Sequence, residues 1–256
     1  MSSSREKGSL LDIRLAAANP EVINNDILAL KDEWKGGSVK WFSPIQSSNY
    51  KEFYDNWFYQ GRFKEEDPSF WEGLELPLDV FNDFWPEGGP NWDGIAVITR
   101  RNGEKVLVLI EAKAHKGELS SGKCGAKEPS RKKIKERLEL TKAEEHLSGV
   151  DWMNNYYQFA NRLAFLLHLR KALKTEQVVF LYLLFANDPC WQKKDRTDND
   201  AWIKAIEKER KFFGIDDKFC QDNGIYDLIV DLNDNRYLLL KKLIEEQLSQ
   251  LDNAAK

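Results

Sequence analysis

The chain has 256 residues, of which 42% are hydrophobic and 31% are charged, and its formal net charge is −4. A chain of this length can bury a large hydrophobic core, and no apolar run in it is long enough to cross a bilayer. Nothing near its start resembles a secretory signal, and a small negative net charge argues against a protein that binds polyanions over its whole surface. We therefore expect one cytoplasmic α/β domain over residues 1–256.

The number and spacing of the cysteines are consistent with a cytoplasmic protein. Cys124, Cys190 and Cys220 are odd in number and widely scattered, so they provide neither a disulfide framework nor the ligand spacing of a zinc site. We predict that all three are reduced thiols, as is usual in the cytosol.

Positive charge is concentrated in one segment, from Lys113 to Lys142. This segment holds ten lysines and arginines against four glutamates, a local charge of +6 in a chain whose net charge is negative. Such a segment could follow a phosphate backbone, or it could be the solvated face of a helix. The sequence leaves both interpretations open.

The N-terminal part, residues 1–60, is predicted to be a helical lead-in to the rest of the domain. Apolar residues recur at helical spacing over residues 10–18 and again over residues 21–35. Residues 41–48 are predicted to be a loop, and residues 49–59 a short aromatic helix. A loop region rich in Pro, Gly and Asp then leads to a hairpin.

The hairpin is the next predicted element. Its strands, Gly94–Thr99 and residues 106–112, are rich in strand-forming residues, and a turn at Asn102-Gly103 joins them.

Three charged residues lie at the open end of this hairpin. Asp93 stands just before the first strand, while Glu111 and Lys113 close a second strand that is otherwise apolar. Burying so much charge is costly unless the groups are paired. Two facing carboxylates repel each other without a cation, and a hard divalent ion such as Mg²⁺ removes that repulsion and suits phosphate substrates. The alternative is a partly buried salt-bridge triad with only a structural role.

The length of the turn decides whether these charges meet. With a two-residue loop, Asp93 would face Ala112, and Glu111 would point to the opposite face of the hairpin. With a three-residue loop over residues 101–103, and its glycine in the left-handed region, Asp93 would face Glu111 directly. We predict the three-residue loop or an equivalent bulge.

Further elements are predicted after the hairpin. A charged helix begins at Pro129-Ser130 and ends near residue 147. A strongly apolar helix over residues 152–169 must be buried against the sheet. Gln158, Asn161 and Arg162 lie close together on this helix and require partners, which the open end of the hairpin could provide. The apolar run over residues 177–187 is typical of a central strand buried on both faces. The remaining predictions are a helix over residues 201–213, a strand over residues 226–232 and a helix over residues 236–251.

The arrangement of Asp93 before the hairpin and Glu111-Ala112-Lys113 after it resembles the motif of the PD-(D/E)xK nuclease superfamily, which has the restriction-endonuclease-like fold. The resemblance implies that Asp93 and Glu111 bind Mg²⁺ or Mn²⁺ and that Lys113 positions or activates the attacking water. One position departs from the motif, because Trp92 stands where the motif has proline.

The resemblance also implies the architecture. We expect an αβββαβ core, with a mixed central sheet flanked by helices, whose catalytic part covers residues 91–187. Residues 188–256 would be a C-terminal extension of the same domain.

Two further site positions follow from the resemblance. Some branches of the superfamily carry a glutamine on the helix after the E-x-K strand, and Gln158 matches that place. A helix before the hairpin sometimes supplies another acidic metal ligand, for which Glu52 is the candidate and Glu33 the reserve; the alternative for both is a solvated helix face. Residues 111–115 and 157–164 together also resemble a family of uncharacterised bacterial proteins assigned to this fold.

The leading hypothesis is metal-dependent hydrolysis of nucleic acid, with DNA as the expected substrate, by Asp93, Glu111, Lys113 and Gln158. The alternative is a non-catalytic module of the same fold that binds nucleic acid or another protein. A third hypothesis is an unrelated α/β enzyme in which the E-x-K is coincidental, although the chain has no other catalytic motif to support it. Whether the substrate is DNA or RNA, and whether a homodimer makes paired cuts, is left open by the sequence.

Overall fold

A five-stranded mixed sheet forms the centre of the fold. The computed structural model describes residues 7–44, 84–86, 90–120, 122–173 and 177–254. The strands, in chain order and also in their order across the sheet, are β1 (Ser38–Ser43), β2 (Gly94–Thr99), β3 (Lys105–Lys113), β4 (Val178–Ala186) and β5 (Ile225–Asp231). Strands β1, β2 and β3 form an antiparallel meander, and β4 and β5 run parallel to β3.

Helices cover both faces of this sheet. They are α1 (Ser9–Ala18), α2 (Asn24–Ala29), α3 (Gly117–Ser120), α4 (Ser130–Glu144), α5 (Tyr157–Leu173), α6 (Asn199–Phe213), α7 (Asp217–Asp222) and α8 (Leu238–Ala254). Short 3₁₀ helices occur at Pro20–Val22, Asp32–Trp34, Lys193–Asp195 and Asn235–Tyr237. In the part of the chain that the structure describes, no helix is both long and apolar enough to cross a membrane.

The two faces of the sheet bury separate cores. Residues of α4, α5 and α6 pack on one face, and residues of α1, α2 and α8 pack on the other. Because side chains alternate along a strand, Leu107 and Leu109 of β3 join the α5 core, whereas Val108 and Ile110 join the α1 core. All nine residues of β4 are buried, which confirms the prediction of a central strand covered on both faces.

The N-terminal part is less helical than predicted. The helix expected over residues 21–35 is split into α2 and two flanking 3₁₀ turns, and β1 occupies residues that include the start of the predicted loop. β1 forms because it pairs with β2, with Trp41 opposite Ala96, and this distant pairing leaves little trace in local periodicity. The aromatic helix predicted over residues 49–59 lies outside the described residues.

The apolar helix α5 begins later than predicted. Residues 152–156 were expected to be its first turn, but they form a separate turn in which Asp151 and Tyr156 have φ angles of 54° and 50°. The indole nitrogen of Trp152 donates to the Ser148 carbonyl over 2.9 Å. Trp152 is buried, but it lies in a turn before α5 and not in the first turn of the helix.

The hairpin turn has the predicted three-residue loop. Gly94 pairs with Ile110, and the Arg100 amide donates to the Glu104 carbonyl over 2.8 Å, which leaves residues 101–103 as the loop. Gly103 has a φ of +85°, a conformation that costs little for glycine and more for other residues. This register determines which charged side chains face each other at the other end of the hairpin.

We predict that Gly103→Ala destabilises the protein by about 1 kcal/mol, because alanine is strained in the left-handed region. Gly125→Ala is the matched control, since an added Cβ meets nothing within 4 Å at either position and only Gly103 has a positive φ. Urea unfolding of both variants measures the difference. Equal stability of the two variants would contradict the assigned turn.

Candidate active site

Asp93 and Glu111 meet at the open end of the hairpin. The pairing of Gly94 with Ile110, continued by one residue, sets Asp93 opposite Glu111, and the two side chains share the face that packs on α5. Asp93 Oδ2 accepts a hydrogen bond from the Ala112 amide over 2.9 Å. The Asp93 side chain therefore fastens the start of β2 to the end of β3.

Glu111 is buried between two cationic side chains. Its exposed fraction is 1%. Its Oε1 accepts from Lys113 Nζ over 2.5 Å, and its Oε2 accepts from Arg162 Nε over 2.8 Å. Lys113 and Arg162 are also buried, so the pairs are shielded from water and each partner depends on the others for solvation.

Arg162 connects α5 to the hairpin. Besides binding Glu111, it donates to Asn161 Oδ1 over 2.6 Å and to the Asn91 carbonyl. Its guanidinium lies 5.1 Å from the centroid of the Trp92 ring, a distance at which cation–π attraction operates. Arg162 was not among the predicted site residues, although a guanidinium on an otherwise apolar helix signals a buried acidic partner.

The pKa values of the two carboxyl groups are shifted in opposite directions. Burial and the neighbouring Glu111 carboxylate raise the pKa of Asp93 to about 7. Burial also acts to raise the pKa of Glu111, but the charges of Arg162 and Lys113 outweigh it and hold that pKa below its usual value. The pKa of Lys113 is raised despite its burial, because Glu111 and Asp93 favour its charged form. Near neutral pH, Glu111 and Lys113 are therefore ionised, and Asp93 keeps its proton to a higher pH than an ordinary aspartate does.

A row of polar side chains continues from Glu111 across the sheet. Glu111 pairs in register with Tyr182 of β4, and Tyr182 pairs with Asp227 of β5. The Tyr182 hydroxyl donates to the buried Glu209 over 3.4 Å, and Arg210 binds Asp227. This row was not predicted, because residues so far apart in sequence meet only through the strand register.

Gln158 lies one helical turn before Arg162 on α5. Its Oε1 atom is buried and accepts no hydrogen bond in the described part of the chain. The structure gives Gln158 no hydrogen bond to Asp93 or Glu111. Instead, Gln158 and Arg162 line a cavity of about 610 Å³ that is also bordered by Lys123 and Lys127. Gln158 therefore faces this cavity, which reaches the charged cluster through Arg162 and is not lined by Asp93, Glu111 or Lys113.

The additional acidic candidates are not part of this cluster. Glu33 binds Arg100 over 3.4 Å, and because Arg100 flanks the turn, Glu33 lies at the far end of the hairpin from Asp93. Glu52 lies outside the described residues.

The carboxylate pair fits a divalent ion on one condition. Asp93 Oδ1 has no hydrogen-bond partner among the described residues, so it can serve as a ligand. Both oxygens of Glu111 are occupied by Lys113 and Arg162. Glu111 therefore becomes a second ligand only if one of these cations moves away from it. A divalent ion would in turn neutralise the repulsion that now raises the pKa of Asp93.

Comparison of the chain with family models, with curated proteins and with solved structures finds no match in any of the three. Functional inference therefore depends on the residues and geometry of the chain itself.

We predict that Arg162→Met destabilises the protein by about 3 kcal/mol or more, because it leaves a buried carboxylate with one of its two cations missing. Lys171→Met, on the same helix, is the control, since that lysine side chain is 53% exposed and exposed ion pairs contribute at most about 1 kcal/mol. Urea unfolding of the two variants provides the comparison. A loss below that of Lys171→Met would show that Glu111 does not require Arg162.

We predict that Asp93 makes stability fall as the pH rises. In the unfolded chain Asp93 loses its proton near its ordinary pKa of about 3.9, whereas in the folded protein it retains the proton until about pH 7. Between these values the folded state binds more protons, so the free energy of unfolding decreases with increasing pH and then levels off. Unfolding in the presence of a metal chelator should show this decrease in the wild type and a smaller one in Asp93→Asn. If the free energy of unfolding depended on pH equally in the wild type and in Asp93→Asn, the raised pKa assigned to Asp93 would be contradicted.

Proposed function

We propose that this chain is a metal-dependent nuclease whose active site contains Asp93, Glu111 and Lys113. The observation that carries the proposal is the hairpin register, because it sets Asp93 opposite Glu111 and leaves Lys113 bonded to the same glutamate. With a two-residue loop, Asp93 would face Ala112, and Glu111 would lie on the opposite face of the hairpin. The proposal includes membership of the PD-(D/E)xK superfamily.

The strand arrangement supports the proposal. Three antiparallel strands, β1 to β3, are followed by the crossover through α5 and by β4, which runs parallel to β3. This is the strand order and direction expected of the αβββαβ core. Within it, the motif residues lie on the face that α5 covers, where Arg162 and Gln158 reach the same region.

The cavity next to Arg162 supports nucleic acid as the substrate. Lys123 and Lys127 provide positive charge at its walls, beside the acidic Glu128, and phosphate groups bind to lysine side chains. Helix α4 begins beside it, and of its six basic side chains Lys132 and Lys135 are exposed, whereas the other four are half-buried. We propose DNA as the substrate, since its duplex presents phosphates along a path that the cavity and α4 together could contact.

The proposed roles follow from the charge states. Asp93 and Glu111 would hold Mg²⁺ or Mn²⁺, which when bound lowers the pKa of water and stabilises charge on the phosphate. Lys113 stays protonated beside its two carboxylates, so it would orient the attacking water and not accept its proton. Gln158 would hydrogen-bond a substrate or water oxygen in the cavity through its amide NH₂.

A second candidate function is a non-catalytic nucleic-acid-binding module. It is favoured by the occupied state of Glu111, whose charge is already balanced by Lys113 and Arg162. In that case the charged cluster would serve only to hold α5 against the hairpin.

We predict that the protein cleaves DNA in the presence of Mg²⁺ or Mn²⁺ and that Asp93→Asn lowers the rate at least about 100-fold, because it removes a metal ligand that the reaction needs. Asp93→Asn is the sharpest variant, since it leaves the Lys113–Glu111–Arg162 pairs intact. Supercoiled, linear and single-stranded DNA and RNA should be tested, with a chelator as the blank.

Glu245→Gln is the control for this assay, because Glu245 is an exposed carboxylate on α8, on the other face of the sheet from Glu111, and should not affect the rate. Cleavage that survives Asp93→Asn would exclude the proposed site. Absence of any cleavage, together with salt-dependent DNA binding that is unchanged by Glu111→Ala and Lys113→Ala, would establish the non-catalytic alternative.

A further inference from the structure

A second acidic cluster lies on the opposite side of the sheet from Glu111. Asp12 projects from the first turn of α1, and Asp188 and Cys190 follow the end of β4. One carboxylate oxygen of each aspartate and the sulfur of Cys190 lie within 4.8 Å of one another. Asp12 is separated from Asp188 and Cys190 by more than 170 positions in the chain, and only the fold brings it to them.

Among the described residues, Asp12 has no partner for its charge. Its side chain is completely buried, and neither of its carboxylate oxygens accepts a hydrogen bond in the described part of the chain. Buried carboxylates are almost always paired with a cation, a donor or a metal ion. A carboxylate oxygen of Asp12 lies within 4.8 Å of an Asp188 oxygen and of the Cys190 sulfur, so this buried group faces the cluster.

The neighbours of Asp12 increase the cost of this arrangement. Asp188 is also completely buried, and its Oδ2 atom likewise has no hydrogen-bond partner among the described residues. Glu118 adds a third carboxylate nearby, and burial together with these two acidic neighbours raises the pKa of Asp12 well above its usual value. Among the described ion pairs, none involves Asp12 or Asp188. A bound cation would remove the repulsion and satisfy the orphaned oxygens together.

We propose that Asp12, Asp188 and Cys190 bind one divalent transition-metal ion of the zinc class. The donor set selects the ion, because thiolate sulfur suits zinc and its neighbours in the transition series, whereas Mg²⁺ and Ca²⁺ prefer oxygen ligands alone. Zinc binds carboxylate oxygen at about 2.0–2.2 Å and thiolate sulfur at about 2.3 Å. The three ligand atoms lie within 4.8 Å of one another, so they would move closer together when they bind one ion.

Two backbone amides hold the side chains of Asp188 and Cys190 in place. The Cys190 amide donates to Asp188 Oδ1 over 2.8 Å, and the Gly8 amide donates to Cys190 Sγ over 3.2 Å. Hydrogen bonds of this kind orient the side chains that bind a metal directly. Ion binding would exchange the thiol proton of Cys190 for the metal, and it would tie α1 to the end of β4.

Cobalt provides a direct test, because Co²⁺ binds zinc-type sites and gives a thiolate-to-metal charge-transfer band in the near ultraviolet. The reduced, metal-stripped full chain should develop this band on addition of one equivalent of Co²⁺. Cys190→Ser should abolish the band, and Asp12→Asn should weaken Co²⁺ binding by at least about tenfold. Asp12→Asn preserves the side-chain shape and removes an unpartnered charge, so it should fold.

Three control variants separate this site from other cysteines and from the proposed nuclease site. Cys124→Ser and Cys220→Ser should keep the band, since these thiols are outside the cluster. Asp93→Asn should also keep it, so that a failure of the nuclease proposal leaves this result unaffected. Zn²⁺ should raise the melting temperature of the wild type and not that of Asp12→Asn. A wild-type protein that gives no band, or a band that survives Cys190→Ser, would overturn the proposal and indicate carboxylates that share a proton instead.

Discussion

The buried carboxylate of Glu111 is the constraint on which the arrangement of this protein depends. A buried carboxylate costs several kcal/mol unless it is paired, and here Lys113 and Arg162 each occupy one of its oxygens. Since Arg162 belongs to α5 and also binds the Asn91 carbonyl, satisfying Glu111 fixes the crossover helix over the open end of the hairpin. Asp93, held by the Ala112 amide, is left as the carboxylate whose pKa is raised and whose second oxygen can take a ligand.

The sequence was sufficient to predict the features that depend on neighbours along the chain. Gly103 and the charges at Asp93 and Glu111 together selected the three-residue turn, and the apolar run of β4 identified the central strand. The sequence was insufficient where distant segments decide the structure. β1 becomes a strand through pairing with β2, and residues 152–156 leave the helical pattern because Trp152 anchors a turn. The presence of Arg162 on an apolar helix indicated a buried acidic partner, but only the fold showed that this partner is Glu111.

Two charged clusters lie on opposite sides of the end of β3. Glu111 and Lys113 face α5, and the chain beyond them is held by Glu118, which accepts hydrogen bonds from the amides of Ala114 and His115 over 3.0 and 2.8 Å. Glu118 also accepts from Ser9 at the start of α1, beside Asp12. A metal ion at Asp12, Asp188 and Cys190 would therefore stiffen the segment that follows Lys113. The sequence did not predict this cluster, because Asp12 is far along the chain from Asp188 and Cys190 and the three residues form no recognisable ligand spacing.

The central claim is that Asp93 and Glu111 form a metal site. A crystal structure of the protein soaked in Mn²⁺, with anomalous scattering data, tests it most directly. The account predicts an anomalous peak between Asp93 and Glu111, with Arg162 or Lys113 withdrawn from one Glu111 oxygen. A Glu111 carboxylate that remains bound to both cations, with no peak beside Asp93, would contradict it and leave the cluster with a structural role alone.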